Sequence, residues 1–171
     1  MQINVSQLLK EPIGGTRHHE LTEMVDIDNN GRSRLVHAKV DLLRTQRGIL
    51  VRAVMQTEVE LECSRCLSTF DHPVTLKIEE EFIPTIDIIT GANLPPAEDP
   101  GAFIVDEHQV IDLTEAIRQY AVLAEPIKPL CREDCPGLCQ TCGRNLNLGP
   151  CDCPPPVTDE RWEKLVKLLH K

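Results

Sequence analysis

Aromatic side chains are scarce in this chain: Phe70, Phe82, Phe103, Tyr120 and Trp162 are the whole set, 3% of 171 residues. The core must therefore be aliphatic, and the rows of aromatic faces on which single-stranded nucleic acid stacks are nearly absent. No apolar run approaches the roughly 20 residues that cross a bilayer, so no membrane partner is expected. Met1-Gln2-Ile3-Asn4-Val5 lacks the basic start and apolar run of an export signal, which makes cytoplasm the expected compartment. Positive charge is short too, with 18 Lys and Arg against 27 Asp and Glu, a net charge of -9. That balance argues against broad, sequence-independent phosphate binding.

The deficit is uneven. Residues 126–171 hold seven basic and six acidic residues, whereas residues 1–125 hold eleven and twenty-one. Nucleic-acid contact should favour the C-terminal part, and the acidic body suits a basic protein partner. The expected organisation is one structural unit, in which a sheet body with a helix over 1–125 is joined to a cysteine-rich segment with a terminal helix over 126–171.

What the chain does have is cysteine. Six of its eight lie in Cys131–Cys153, and the other two are Cys63 and Cys66. They form four close pairs: Cys63/Cys66, Cys131/Cys135, Cys139/Cys142 and Cys151/Cys153. Zinc takes four soft ligands at tetrahedral angles, and two cysteines spaced by two residues turn both sulfurs inward around one tight turn. Gly143 follows Cys142 and tolerates the positive φ such a turn demands. Gly149-Pro150 turns the chain back, so that Cys139, Cys142, Cys151 and Cys153 form one local site. Cys63, Cys66, Cys131 and Cys135 then form a second, tying the middle of the chain to its C-terminal part. Exchange of pairs between the sites is the main rival. Two tetrathiolate zinc sites would carry -2 each and move the formal charge from -9 to about -13.

The cysteines admit two other uses. A disulfide scaffold goes with secretion, and a redox dithiol of the Cys-x-x-Cys kind wants a βαβ context, whereas Cys63 ends an alternating strand pattern. The histidines are poor ligand candidates. His18 and His19 are adjacent and would face opposite sides of a strand, and His72 would be a ninth ligand where eight cysteines already complete two sets.

The fold expected is α+β: an antiparallel sheet or partly closed barrel, flanked by helices, with a zinc-stapled C-terminal segment. Val5, Leu8 and Leu9 suggest a short helix before Pro12. Residues 16–27 suggest a strand, and 28–31 a turn. Val36, Ala38, Val40 and Leu42 alternate, as do Ile49, Val51, Ala53, Met55, Val59 and Leu61 after the turn at 46–48. Val74, Leu76 and Ile78 resume the period, so Cys63 to Cys66 should connect two paired strands. Glu79, Glu80 and Glu81 read as solvent-facing. Residues 84–111 show no period and read as a long acidic loop, with disorder the plain alternative to a docking role. Asp112 and Glu115 suggest a capping box, opening a helix with Leu113, Ile117, Tyr120, Ala121 and Ala124 on its apolar stripe. A last helix over 159–170, capped by Thr158, would carry Trp162, Leu165, Val166 and Leu169 on its stripe, with Arg161, Lys164 and Lys167 on the other side.

The segments ECSRCLSTFDHPVTLKIEEEF and DLTEAIRQYAVLAEPIKPLCREDCPGLCQTCGRNLNLGPCDC, with the terminal WEKLVKLL, resemble the bacterial and plastid YceD family, described as large ribosomal RNA subunit accumulation proteins. The likeness spans nearly the whole chain, and its most specific parts are Cys-x-Arg-Cys and PLCREDCPGLC. It implies a non-enzymatic role in accumulation or maturation of large-subunit ribosomal RNA, with ribosomal RNA or a basic ribosomal protein as partner and no small-molecule substrate. Arg65, Arg144, Arg161, Lys164 and Lys167 are the candidate contacts. Two other readings stand beside it. A metal-dependent RNA-processing enzyme would need an open coordination position and a nearby base. A thiol or zinc redox sensor would need an exposed, readily oxidised cluster.

Overall fold

The computed structural model describes residues 1–27, 31–95 and 99–154. The elements are β1 (Gln2–Asn4), α1 (Ser6–Lys10), β2 (Thr16–Val25), β3 (Arg34–Arg44), β4 (Ile49–Glu62), β5 (Thr69–Pro84), β6 (Ile104–Val105), β7 (Val110–Asp112), α2 (Thr114–Ala124) and a single 3₁₀ turn, Leu146–Leu148. The terminal helix expected over 159–170 lies outside the described residues. No helix among those described is long and apolar enough to cross a membrane.

The chain divides into two compact units, one of Met1–Leu61 with Asp71–Ile127 and one of Glu62–Phe70 with the chain from Lys128 onward. The first is built on a seven-stranded sheet of order β1-β7-β6-β5-β4-β3-β2. Strands β2, β3 and β4 pair antiparallel, as do β6 with β7 and β7 with β1. The β5/β6 pairing is parallel, so the sheet is mixed where an all-antiparallel one was expected. Residues 85–103 supply the reason: a connection that long can carry the chain back to enter β6 in the direction of β5, which a tight hairpin cannot.

β1 and β2 are the two edge strands, yet the Met1 ammonium lies 3.9 Å from the Glu23 carboxylate on β2. The sheet is therefore curled, with its edges close but no ladder joining them among the described residues. Helix is sparse among the described residues, where α1 has five residues and α2 has eleven.

Alternation decides the core. β3 buries Val36, Ala38, Val40 and Leu42, and β4 buries Ile49, Val51, Ala53, Met55, Val59 and Leu61. Each Val, Leu, Ile or Met side chain among them contributes about 1.5–3 kcal/mol when taken from water. Thr57 continues the buried face of β4 and meets its polar need by donating to the Leu35 carbonyl at 3.0 Å. From α2 come Ala116, Ile117 and Ala121, with Leu113 just before it. Ala124, placed on the stripe by helical spacing, is exposed instead, because the helix ends there and the chain leaves at Glu125.

Three local expectations change. The capping box does not form. Leu113 occupies the cap position, Asp112 accepts from the Thr114 amide at 2.9 Å, and Glu115 bonds forward to Arg118 and Gln119. Glu80 and Glu81 are half-buried, accepting from the Tyr120 and Thr45 hydroxyls at 2.8 and 2.7 Å, while Glu79 stays exposed beside Arg52. β6 lies within the stretch 84–111 and β7 begins there, adding two strands of the sheet that are too short to show a period.

Among the described residues, Phe82 is the one aromatic buried in this core, 1% exposed, with its ring stacked 5.2 Å from that of Phe103. Its carbonyl oxygen would lie 2.1 Å from a Cβ at position 48, which is why the turn entering β4 ends on Gly48. Phe82→Ala is expected to cost about 3–5 kcal/mol, read as a lowered urea midpoint at unchanged metal content. A loss under about 1 kcal/mol would show that the curled sheet does not rest on this side chain.

Candidate metal centre

All eight cysteines fall in the second unit. Cys63 to Cys66 lie in the connection between β4 and β5, and the backbone there makes a defined loop. The Cys63 amide donates to the Ser68 carbonyl at 2.9 Å, and the Leu67 amide donates back to the Cys63 carbonyl at 2.9 Å. Cys139 to Cys142 repeat it: Cys139 to Arg144 at 2.8 Å, and Gly143 to Cys139 at 2.9 Å. The residue after the second cysteine has positive φ in both, +58° at Leu67 and +71° at Gly143. Gly143 takes that conformation at little cost, whereas Leu67 carries the strain of a β-carbon in the left-handed region. The first loop thus hides from sequence the glycine that marks the second.

This loop aims amides at sulfur. The Cys63 thiol is drawn down to about 6, first by the Cys131 amide and then, against burial, by those of Arg65 and Cys66. Cys139 is likewise held near about 6, by the amides of Cys142 and Thr141 and by the Cys151 thiol. Cys66 is lowered by the amide and hydroxyl of Ser68. The last proton of each group is held hard. Burial and then its neighbouring sulfurs push Cys131 up to about 12, and the Cys142 sulfur and then burial do the same to Cys153. Four sulfurs this close cannot all ionise without a cation among them.

The sulfurs converge in two groups, Cys63, Cys66, Cys131, Cys135 and Cys139, Cys142, Cys151, Cys153, each with all atoms within 4.8 Å of one another. Cys63 and Cys135 sulfurs are 3.8 Å apart, and those of Cys66 and Cys131 are 3.7 Å apart. A tetrahedron with metal–sulfur bonds of about 2.3 Å has edges of about 3.8 Å, so the donor set fits a tetrathiolate ion. A disulfide needs about 2.05 Å. No histidine joins either group among the described residues; His18 instead lies 2.7 Å from Asp41 on β3.

The groups differ in exposure. In the first, the inner group, Cys63, Cys66 and Cys135 are buried and packed by Phe70, Leu130 and Leu138. In the second, the outer group, Cys142 is exposed and the other three are half-buried. The inner group is framed by long-range bonds. The Ser64 amide and hydroxyl both reach the Pro129 carbonyl, at 2.9 and 3.0 Å, and Arg65 Nη1 donates to the Cys135 carbonyl at 2.9 Å. Arg65 is exposed and clips the two halves of the inner group together, and Arg144 is exposed on the outer loop. Arg161, Lys164 and Lys167 lie outside the described residues. Sequence reading missed Asn145 and Asn147, which bond Ser68 and Cys135 from the 3₁₀ turn; nothing in their spacing marks them.

A family model described as "Large ribosomal RNA subunit accumulation protein YceD" matches residues 51–169, a span that includes every cysteine. Uncharacterized proteins of Mycobacterium tuberculosis and Mycobacterium bovis are each 33% identical over 147 residues, covering 86% of this chain and 67% of their own length. One of Mycobacterium leprae is 31% identical over 121 residues, covering 71% of this chain and 53% of its own. No solved structure matches.

Proposed function

The chain belongs to the YceD family, and from that premise we propose that it is a non-enzymatic, zinc-binding factor supporting accumulation or maturation of large-subunit ribosomal RNA in the cytoplasm. The observation that carries the zinc is the geometry: two groups of four sulfurs, the inner one with edges of 3.7 and 3.8 Å. When bound, zinc would supply a fixed tetrahedral staple. Four thiolates fill the coordination sphere, so neither ion offers an open position for water or substrate. The chain's own work is to present a stiffened surface, which lowers the entropy lost when a partner docks.

The partner contact is proposed to run through the C-terminal part, where residues 126–171 are net +1 against -10 for the rest. Arg65, Arg144, Arg161, Lys164 and Lys167 are the side chains proposed to meet ribosomal RNA or a basic ribosomal protein. Reversing Arg161, Lys164 and Lys167 together to Glu is expected to leave metal content and folding intact. Co-sedimentation with large-subunit precursors should fall several-fold and lose part of its salt dependence. If that variant sediments like the parent while shortening the acidic β5–β6 loop abolishes association, a basic protein captured by the loop is the partner and the C-terminal contact is wrong.

A further inference from the structure

Between Cys142 and Cys151, both of the outer group, lies the 3₁₀ turn Leu146–Leu148, capped by Asn145, and the Asn147 side chain reaches the inner group. Asn147 Nδ2 donates to the Cys135 sulfur at 3.3 Å, Asn145 Nδ2 donates to the Ser68 hydroxyl at 2.9 Å, and the Leu146 amide donates to the Gly137 carbonyl at 2.9 Å. We infer that Asn147 is a positioning residue for the inner metal, and that occupancy of the outer group controls how fast the inner ion is released. This rests on the zinc reading above and adds to it a coupling between the two ions.

The amide of Asn147 is fixed in orientation. Its Nδ2 and backbone amide both donate to Asn145 Oδ1 at 2.9 Å, while its own Oδ1 is buried without a hydrogen-bond partner. Reversing the amide would turn that oxygen toward sulfur. A metal-bound thiolate carries negative charge and repels an oxygen, so the observed orientation suits Cys135 as a ligand. Cys135 is 1% exposed, so water cannot replace the donor. Dispersing charge from a ligating sulfur makes it a poorer target for protons and chelators, and the inner ion leaves more slowly.

Control by the outer group follows from the chain path. An ion held by Cys139, Cys142, Cys151 and Cys153 pins both ends of the loop that carries Asn147. Without it, the turn is held by the three bonds above and by the Cys139 amide's bond to the Arg144 carbonyl at 2.8 Å. Cys142 is exposed, so a chelator or oxidant meets the outer group first. Removing that ion frees the turn and withdraws the donor from Cys135.

The test uses the full chain loaded with radioactive zinc and diluted into excess unlabelled zinc, which keeps both groups occupied while the label exchanges, and should show a fast outer phase and a slow inner one. Asn147→Ala is expected to keep two ions, leave the fast phase unchanged and speed the slow phase roughly ten- to hundredfold. Asn147→Leu, similar in shape but without a donor, should do the same and serves if the alanine variant folds poorly. Cys142→Ser should speed release of the remaining ion by a similar factor, and adding Asn147→Ala to it should have no further effect, because both act through one contact. An unchanged slow phase in both Asn147 variants, or effects that multiply in the double variant, overturns the latch while leaving the zinc reading intact. A parent protein that carries no zinc overturns both.

Discussion

Cys66→Ser is expected to lower the zinc content from two ions per chain to one and to strip amide protection from residues 62–70 and 128–138. The serine hydroxyl is not a soft anion near neutral pH, so the inner group loses one of four ligands, and structural zinc is worth roughly 10–16 kcal/mol in small finger peptides. Cys66 and Cys131 are 65 residues apart in sequence. Without the ion, the inner group is left among the described residues with Phe70, Leu130 and Leu138 around its sulfurs and the few hydrogen bonds at Ser64, Arg65, Ser68 and Gly137. Cys142→Ser removes the other ion, whose ligands all lie within residues 139–153, and should loosen that hairpin while the inner ion stays bound. Strands β3 and β4 should stay protected in both, since their aliphatic core contains no ligand. Elemental analysis and hydrogen exchange read the contrast. Equal, global loss of protection in the two variants would contradict the pairing of cysteines.

Acidification is expected to release both ions steeply. Binding requires four thiolates, while in the free protein Cys131 and Cys153 hold their protons up to about 12. At pH 7 each site therefore displaces at least one proton when it loads, and affinity falls about tenfold for each unit of pH lost per proton displaced. Below about 6, Cys63 and Cys139 take up protons as well, so the fall steepens. The sign is fixed: folding that depends on metal is present at neutral and higher pH and is lost as pH drops. Zinc retained after dialysis across pH 7.5 to 5 measures it. Retention of both ions at pH 5 would show that the thiolates are not the ligands.

Much of this was legible in the sequence for local reasons. A strand with one face buried must alternate, so β3 and β4 announced themselves from Val36 to Leu61, and the knuckle position of Cys63 followed from counting along that period. Paired cysteines two residues apart constrain each other through a single turn, which is why Cys139 and Cys142 read as half a site. Strands β6 and β7 did not read, because two or three residues cannot show a period; their place is set by partners in β5 and β1. The same limit hid the half-burial of Glu80 and Glu81, which depends on Tyr120 and Thr45 arriving from elsewhere.

The sequence by itself determined the aliphatic core, the alternation of its central strands and the supply of eight thiols in pairs, since each is a property of residues near one another along the chain. The tertiary structure decided the parallel entry of β6, the curl that brings Met1 to Glu23, the left-handed turn at Leu67 and the reach of Asn147 to Cys135. Those depend on which distant segments meet. Hydrogen-bond direction and close approach act over a few ångströms in space, whatever the separation in sequence.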